Sequence, residues 1–283
     1  MTGFIAEVSS NHASNLDRAL EFIDVSARIG CSAVKFQLFK IDQLFAPEVL
    51  DRSEEHRSRR KWELPVEFIP SLSARCDDVG IQFSCTPFYL DAVEELEPHV
   101  AFYKIASYEL LWDHLLEACA STGKPVVLST GMATLDEIRH AVEVLRTSGC
   151  DDLTLLHCVS AYPSPPEESN LSAMETLRAA TGCKVGWSDH TRAPAVIHRA
   201  VHRWGADLVE FHLDLDGDGD EYRAGHCWLP SEIEPVIAQV ETALRSDGSG
   251  EKTPTDAEMA DRSWRADPED GLRPLRHQRS GLD

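Results

Sequence analysis

The sequence predicts a (β/α)8 barrel, the TIM barrel of the α/β class. Eight short runs rich in β-forming residues recur along the 283-residue chain. Segments with the apolar spacing of amphipathic helices separate them, for example Ile138-Ala141-Val142-Leu145. Eight such units in about 245 residues match the usual barrel length of about 250 residues. An open doubly wound sheet is the alternative fold for the same alternation.

Each predicted strand is a short apolar run bounded by polar or turn-forming residues. In chain order these strands are Phe4–Val8, Ala33–Leu38, Ile81–Cys85, Phe102–Ala106, Val126–Ser129, Leu153–Cys158, Lys184–Trp187 and Leu208–His212. A glycine stands shortly before several of them, where the preceding helix would end: Gly30, Gly80, Gly123, Gly149, Gly182 and Gly205. Since a helix C-terminus favours a residue that accepts positive φ, we expect these glycines to mark the αβ side of the barrel.

The composition excludes some functions. The chain has 48 acidic residues against 27 Lys and Arg, a net charge of −21. Such a field repels nucleic acid and anionic membranes, so neither is an expected partner. No apolar run approaches the roughly 20 residues of a spanning helix, and the first residues lack the features of a secretory signal. We expect a cytoplasmic protein whose eight singly spread cysteines are reduced core residues.

Two segments stand apart from the strand and helix pattern. Residues 1–246 are predicted to form the barrel domain, and residues 247–283 a charged tail containing Pro and Gly, without an independent fold. The polar segment Ile41–Glu63 follows the second strand. It is predicted to be either a lid over the barrel mouth or a solvated insertion with one short helix.

Polar residues are concentrated where the predicted strands end, which is the face that carries the active site in barrels of this class. Two of them, Lys35 and Lys104, lie inside otherwise apolar strands. Because a buried lysine is costly unless it is paired or used, these two indicate an anionic ligand. The alternative is that each lysine pairs with a core acid such as Glu7 or Glu210.

Two histidines end neighbouring strands. His190 and His212 would lie roughly 5 Å apart in a parallel sheet, a spacing at which two imidazoles hold one divalent ion. The spacing is also compatible with general acids or bases, or with hydrogen-bonded structural histidines.

A series of short motifs, in order along the eight predicted strands, resembles the N-acetylneuraminate (sialic acid) synthase family. The motifs are Ile5-Ala6-Glu7 with Asn11-His12, Ala33-Val34-Lys35-Phe36-Gln37, Thr86-Pro87-Phe88, Tyr103-Lys104-Ile105-Ala106-Ser107, Leu128-Ser129-Thr130-Gly131-Met132, Leu156-His157-Cys158, Tyr162-Pro163, Gly186-Trp187-Ser188-Asp189-His190-Thr191 and Glu210-Phe211-His212. The resemblance extends from Phe4 to about Leu244.

The resemblance implies a phosphoenolpyruvate-dependent, metal-assisted condensation with an aldehyde sugar or sugar-derived aldehyde, which yields a 2-keto (ulosonic) acid and phosphate. Carried over position by position, it implies four catalytic residues, Glu7, Lys35, Lys104 and Glu210. The implied substrate-binding residues are Gln37, Thr86, Ser107, Ser129, Tyr162 and Ser188. The implied ligands of a divalent ion, Mn²⁺ or Mg²⁺, are His190 and His212.

The sequence also departs from the family. Family members normally continue into a small antifreeze-like domain that reaches into the partner's site. The sequence predicts the barrel domain without that module and an acceptor other than N-acetylmannosamine. A homodimer without the exchanged domain is compatible with it. Residues 214–228 replace a Gly-Pro-Asp-His stretch and imitate the start of an EF-hand loop. We expect solvated acids there, with Asp220, Glu221 or His226 contacting acceptor hydroxyls.

Two further hypotheses compete with the synthase. One is a Schiff-base aldolase that uses Lys35 or Lys104 as the nucleophile. The other is an inactive barrel that serves as a binding or scaffold subunit. Retention of both lysines, both histidines and Glu7 argues against the inactive barrel.

Overall fold

The computed structural model describes residues 2–279 and shows a closed barrel of eight parallel strands. The strands are β1 (Gly3–Glu7), β2 (Ala33–Leu38), β3 (Gln82–Pro87), β4 (Phe102–Ile105), β5 (Val126–Ser129), β6 (Leu153–Cys158), β7 (Lys184–Asp189) and β8 (Leu208–Leu213). Each pairs with the next, and β1 pairs with β8. A two-residue strand, β9 (Cys227–Trp228), adds to β8 outside the ring. The (β/α)8 prediction is confirmed, and an open sheet is excluded.

Helices follow the strands. They are α1 (Leu16–Arg28), α2 (Ile41–Leu44), α3 (Pro47–Arg52), α4 (Glu54–Ser58), α5 (Ile69–Val79), α6 (Asp91–Leu96), α7 (Asp113–Ser121), α8 (Leu135–Thr147), α9 (Ala173–Thr181), α10 (Pro194–His202), α11 (Asp220–Ala224), α12 (Pro230–Ser246) and α13 (Arg276–Arg279). Short 3₁₀ helices span Arg59–Trp62, Val66–Phe68, Ser107–Glu109, Pro166–Glu168, Asp256–Glu258 and Arg262–Trp264. None of the helices within residues 2–279 is long and apolar enough to cross a membrane.

Alternation along the strands separates a small inner core from a large outer one. Side chains that face the helices join the outer core, whereas a small inner cluster consists of Ile5, Ala33, Phe102, Val127 and Leu156. Because successive side chains point to opposite faces, the residue two places after each member also points inward. Those residues are Glu7, Lys35, Lys104, Ser129 and Cys158. The apolar cluster thus forms the floor beneath a polar layer at the C-terminal ends of the strands.

Glycines act at two kinds of position. All six glycines predicted before strands have positive φ, from 61° at Gly205 to 105° at Gly149. Gly186, in β7, serves another purpose: a Cβ there would collide with the backbone carbonyl oxygen of Leu208 in β8. This position therefore requires glycine because two strands approach each other closely.

The segment Ile41–Glu63 contains more helices than the predicted solvated insertion with one short helix. It contains α2, α3, α4 and a 3₁₀ turn instead of one short helix, so that prediction was wrong. The physical reason is apolar anchoring: Ile41 and Leu50 are buried with Phe39, and Leu44, Phe45, Trp62 and Phe88 pack against them. Short helices that are individually unstable in water are held by this small cluster.

Residues 2–244 form one compact unit, and residues 245–279 belong to another. The second unit contains the 3₁₀ helices Asp256–Glu258 and Arg262–Trp264 and the helix α13. Within it, the backbone N–H of Arg276 donates to Asp267 Oδ2 at 2.9 Å. That this segment lacks an independent fold stays a prediction.

Candidate active site

A cavity of about 850 Å³ opens at the C-terminal ends of the barrel strands. Its polar residues come from all parts of the ring and include Lys35, Gln37, Lys104, Ser107, Ser129, Tyr162, Ser188, His190, Glu210 and His212. Ten of the twelve residues implied by the resemblance therefore lie in one cavity. The other two contact its wall: Thr86 Oγ1 accepts from Lys35 Nζ at 3.3 Å, and Glu7 forms an ion pair with the same ammonium group.

Two lysines and two acids form a buried charge network on one side of the cavity. Lys35 contacts Glu7 and lies 3.9 Å from Glu210, and Lys104 Nζ lies 3.6 Å from Glu210 Oε1. Strand register produces these contacts, since Glu7 stands opposite Lys35 in adjacent strands. The network is formally neutral. Each lysine pairs with a core acid, as one prediction had it, and each also lines the cavity, where the other prediction placed an anionic ligand.

Neighbouring charges set the protonation states of this network. Burial opposes protonation of Lys35, but Glu210 and Glu7 outweigh it and raise the pKa of Lys35. Burial lowers the pKa of Lys104, because Glu210 compensates only in part and Lys35 repels it. Although burial opposes ionisation of Glu210, Lys104 and Lys35 lower the pKa of Glu210 to about 2. Lys104 is therefore the more readily deprotonated of the two ammonium groups.

Small hydroxyl-bearing residues surround the other end of the polar layer. Ser107 Oγ accepts from the backbone N–H of Gly131 at 3.0 Å and lies 3.2 Å from Cys158 Sγ. Ser160 Oγ is buried and has no hydrogen-bond partner among residues 2–279. A Cβ at Gly131 would collide with Ser160 Oγ. Glycine thus leaves space beside the hydroxyls of Ser107 and Ser160, while its own N–H donates to Ser107; a space lined by hydroxyl groups suits a small anion.

His190 and His212 are oriented by their own hydrogen bonds. The ring centroids lie 5.4 Å apart. His190 Nδ1 lies 2.7 Å from the carbonyl oxygen of Val159, so Nδ1 carries the proton and Nε2 keeps a lone pair. Burial, together with the nearby His212, lowers the pKa of His190 to about 3. His190 is therefore a neutral imidazole with one nitrogen available as a ligand.

A carboxylate from residues 214–228, called the rebuilt loop below, orients the second histidine, His212. Glu221 Oε2 accepts from His212 Nδ1 at 3.0 Å, which leaves His212 Nε2 free. Burial opposes protonation of His212, but this hydrogen bond and the charge of Glu221 outweigh it and raise the pKa of His212. A carboxylate behind an imidazole is the usual arrangement around metal-binding histidines. Ligand atoms of Glu221, His226, Cys227 and His212 all lie within 4.8 Å of one another, a group that does not include His190.

One prediction for the rebuilt loop was wrong. Asp214 is buried instead of solvated, and it accepts from three backbone N–H groups, those of Leu215, Gly217 and Gly219. It also pairs with Arg18 at 3.1 Å. Its oxygens are thus committed to shaping the loop, and its arrangement is not that of an EF-hand ligand. Asp220, Glu221 and His226, singled out as replacement contacts, all line the cavity.

Sequence reasoning missed other residues of the cavity. Arg59, Phe45 and Trp62 line it from the segment after β2. The signal for Phe45 and Trp62 was available, because bulky apolar residues in a charged insertion are unusual. Glu109, a polar residue that follows the fourth predicted strand, was given no role, and it lines the cavity from the 3₁₀ turn after β4. His157, noted at the end of β6, faces the helices instead, and its Nε2 donates to the carbonyl oxygen of Ser169 at 2.9 Å.

Comparison with known proteins agrees with this geometry. A closed parallel barrel whose strand ends gather lysines, acids and histidines in one cavity defines an enzyme of the α/β-barrel class. The profile of the NeuB family matches residues 22–252, and the chain belongs to that family. The chain is accordingly a synthase.

Relatives cover most of the chain. It is 34% identical to the N,N'-diacetyllegionaminic acid synthase of Campylobacter jejuni, covering 91% of this chain and 81% of that protein. It is 35% identical to the synthase of the same name from Legionella pneumophila, covering 92% and 77%. The crystal structure of the N-acetylneuraminic acid (sialic acid) synthetase from Leptospira borgpetersenii is 30% identical, with a TM-score of 0.81, covering 92% of this chain and 90% of that one.

Proposed function

We propose that the protein condenses phosphoenolpyruvate with an aldehyde sugar, or a sugar-derived aldehyde, to give a 2-keto acid and phosphate. The observation that carries the proposal is the polar layer itself: two lysines, two acids, several serines and two oriented histidines in one cavity of a NeuB-family barrel. An inactive scaffold would have no use for this buried charge network, whose burial opposes folding.

The anionic substrate needs local cations, because the chain carries a net charge of −21. Lys35 and Lys104 offer ammonium groups to the enol phosphate. The hydroxyls of Ser107, Ser129 and Ser188 supply hydrogen-bond donors for its phosphate and carboxylate oxygens, once Ser188 exchanges its bond to Glu210 Oε1 for one to the substrate. The C3 carbon of the enol then attacks the aldehyde carbon, and the aldehyde oxygen takes up a proton.

Water adds at C2 to complete the reaction. The tetrahedral adduct then expels phosphate by breaking the bond between C2 and the bridging oxygen, which leaves the ketone. Glu7 is the candidate for handling these protons, because Oε1 accepts from Gln37 Nε2 at 2.6 Å and from the N–H of Ser9 at 3.1 Å. These two bonds fix its orientation beside Lys35.

The residues present fit a divalent ion. The hydrogen bonds that orient His190 and His212 use Nδ1 of each ring, which leaves Nε2 of each ring as the atom available to a divalent ion. Glu221 lies behind His212 as a hydrogen-bond acceptor, so water or substrate would supply the oxygen ligands that Mn²⁺ and Mg²⁺ prefer. We assign His190 and His212 as the ligands. When bound, such an ion polarises the aldehyde as a Lewis acid.

The acceptor contacts are expected to differ from those of an N-acylmannosamine. Asp220, Glu221 and His226 lie on the rebuilt loop and α11, and the ring of Tyr162 meets that of His226 edge to face, with centroids 5.2 Å apart. We propose that these groups orient acceptor hydroxyls.

Phosphate release tests the proposal directly. Free phosphate should appear only when phosphoenolpyruvate, Mn²⁺ or Mg²⁺ and an acceptor aldehyde are all present. His190→Ala and His212→Ala should each abolish release and lower the bound metal measured by elemental analysis. Release without an aldehyde would indicate a phosphatase and would contradict the proposal.

One observation favours a second candidate, a Schiff-base aldolase. Burial lowers the pKa of Lys104, which is the condition an amine nucleophile requires. Borohydride treatment in the presence of a keto acid would then trap a covalent adduct on Lys104, and chelators would have no effect. The synthase predicts no adduct and full sensitivity to chelators.

A further inference from the structure

Arg59 is a cation at the cavity wall with no role in the proposed chemistry. It begins the 3₁₀ helix Arg59–Trp62 on the inserted segment. Its guanidinium carbon lies 5.8 Å from the ring centroid of Phe45 and 5.8 Å from that of Trp62. All three residues line the cavity. The two aromatic rings therefore hold the planar guanidinium group in place, as stacking against aromatic faces does for arginine.

The hydrogen-bonding capacity of this guanidinium group is incompletely used. Nη2 donates to Glu55 Oε1 at 3.0 Å, but the Glu55 side chain is 76% exposed. Nε is buried and has no hydrogen-bond partner in the part of the chain that the structure describes. A donor on a charged group that is removed from water and left unpaired is unfavourable unless a ligand satisfies it.

The surroundings favour an anion at this position. Arg59 is the only arginine among the described residues that line the cavity. The two lysines of the cavity are already paired with Glu7 and Glu210. Phe45 and Trp62, which flank the guanidinium group, pack in one apolar cluster with Phe39, Ile41, Leu44 and Phe88. A charge-assisted hydrogen bond made against such a wall is stronger than one made in water.

We propose that Arg59 determines acceptor specificity by binding an anionic group, a phosphate or a carboxylate, at the end of the acceptor opposite its aldehyde. Phe45 and Trp62 pack against the carbon chain between the two ends. The inference rests on the proposed function, because only a condensation that takes an aldehyde has an acceptor to select. The proposal therefore distinguishes an acceptor that carries an anionic group from a neutral acceptor. This anionic group is separate from the phosphate of phosphoenolpyruvate.

Matched acceptors test the proposal in the phosphate-release assay. The probes are an aldose, its terminal phosphate and its terminal carboxylate (the uronic acid). Wild type should use at least one anionic aldehyde with a higher kcat/KM than the neutral one. Arg59→Gln should raise KM for that anionic aldehyde roughly 10- to 100-fold, with little change in kcat and no change for the neutral aldehyde. Arg59→Lys should retain part of the preference because it keeps the charge.

Arg60 provides the matched control. It is exposed, pairs with Asp42 and does not line the cavity. Arg60→Gln removes the same charge from the same 3₁₀ helix and should leave the acceptor preference unchanged. Preference of wild type for the neutral aldehyde, or equal effects of the two glutamine variants, would overturn the proposal.

A binding measurement separates this proposal from the synthase assignment. The sugar alcohol phosphate that corresponds to the phosphorylated aldehyde, and its carboxylate counterpart, cannot react, so calorimetry reports binding alone. Arg59→Gln should weaken binding of the preferred alditol anion roughly 10- to 100-fold, whether or not any aldehyde supports turnover. Unchanged binding in Arg59→Gln would overturn the role of Arg59 even if the enzyme proves to be a synthase.

Discussion

At the scale of single residues, burial and partner choice decide what each group in the cavity can do. Glu221 illustrates this, because one carboxylate serves several partners: Oε2 accepts from His212, and Oε1 accepts from Ser9 and, at 3.2 Å, from Ser10. Its charge is stabilised by these contacts. His212 and His226, together with Ser9, hold the pKa of Glu221 well below its usual range, although burial opposes this. It is thus an ionised group behind a proposed metal ligand.

Replacement of Glu221 should weaken metal binding. Glu221→Gln keeps the size of the side chain but removes the charge that fixes the orientation of His212, so we expect the affinity for Mn²⁺ to fall roughly 10- to 100-fold. Calorimetric titration of the metal-free enzyme measures this without turnover. Asp218→Asn removes a charge from the same loop at an exposed residue and should bind Mn²⁺ as wild type does. Equal affinity in Glu221→Gln and wild type would exclude this orienting role.

Glu109 makes stability depend on pH. Burial raises the pKa of Glu109 from 4.5 to about 7, and Lys104 opposes this only in part. The folded state therefore binds the proton more tightly than the unfolded state, and stability falls as pH rises from about 4.5 to about 7. Glu109→Gln removes this loss.

The expected gain can be measured by urea unfolding. The free energy of unfolding of Glu109→Gln, relative to wild type, should increase by about 2 kcal/mol between pH 5.5 and pH 8. Glu143→Gln, a substitution at an exposed position of α8, should show no such trend. A stability difference between Glu109→Gln and wild type that is the same at both pH values would show that Glu109 does not titrate in this range.

At the scale of elements, period-two alternation made the polar layer predictable. Ala33, Lys35 and Gln37 share one face of β2, and the same spacing relates Phe102 to Lys104 in β4. Strand ends could be placed only within a few residues, since β3 runs to Pro87 and β7 to Asp189. These strands continue past their apolar runs because neighbouring strands supply backbone hydrogen bonds that no local pattern encodes.

Substitution of two glycines, Gly186 and Gly131, should distinguish an effect on stability from an effect on substrate binding. Gly186→Ala places a Cβ against the backbone of β8, which cannot move without disturbing the barrel, so we expect a loss of about 1–3 kcal/mol in the free energy of unfolding. The three atoms nearest to a Cβ at Gly131 belong to side chains, Ser160 Oγ, Ser107 Oγ and Cys158 Sγ, which can adjust more readily than a backbone. Gly131→Ala should therefore lower stability less than Gly186→Ala does, and it should weaken phosphoenolpyruvate binding because it displaces the Ser107 hydroxyl. Equal destabilisation of the two variants in urea would contradict this distinction.

At the scale of the whole molecule, strand order and family motifs predicted the barrel and most of the cavity. What they could not predict was the wall built by the insertion and the position of α11. Glu221 acts through a contact with Ser9, which is far away in sequence, and Arg59 is placed at the cavity by the fold of the inserted segment. Such contacts depend on how the loops pack over the barrel, which a local sequence pattern does not predict.

The fate of the bridging oxygen of phosphoenolpyruvate tests the central claim most directly. The enzyme is supplied with a divalent ion, an accepted aldehyde and phosphoenolpyruvate labelled with ¹⁸O at the oxygen between C2 and phosphorus. Mass spectrometry then measures the ¹⁸O content of the phosphate and of the keto acid. Addition of water at C2 followed by C–O cleavage predicts that the label leaves in the phosphate. Label retained in the keto acid or in pyruvate would mean P–O cleavage and would contradict the proposed condensation.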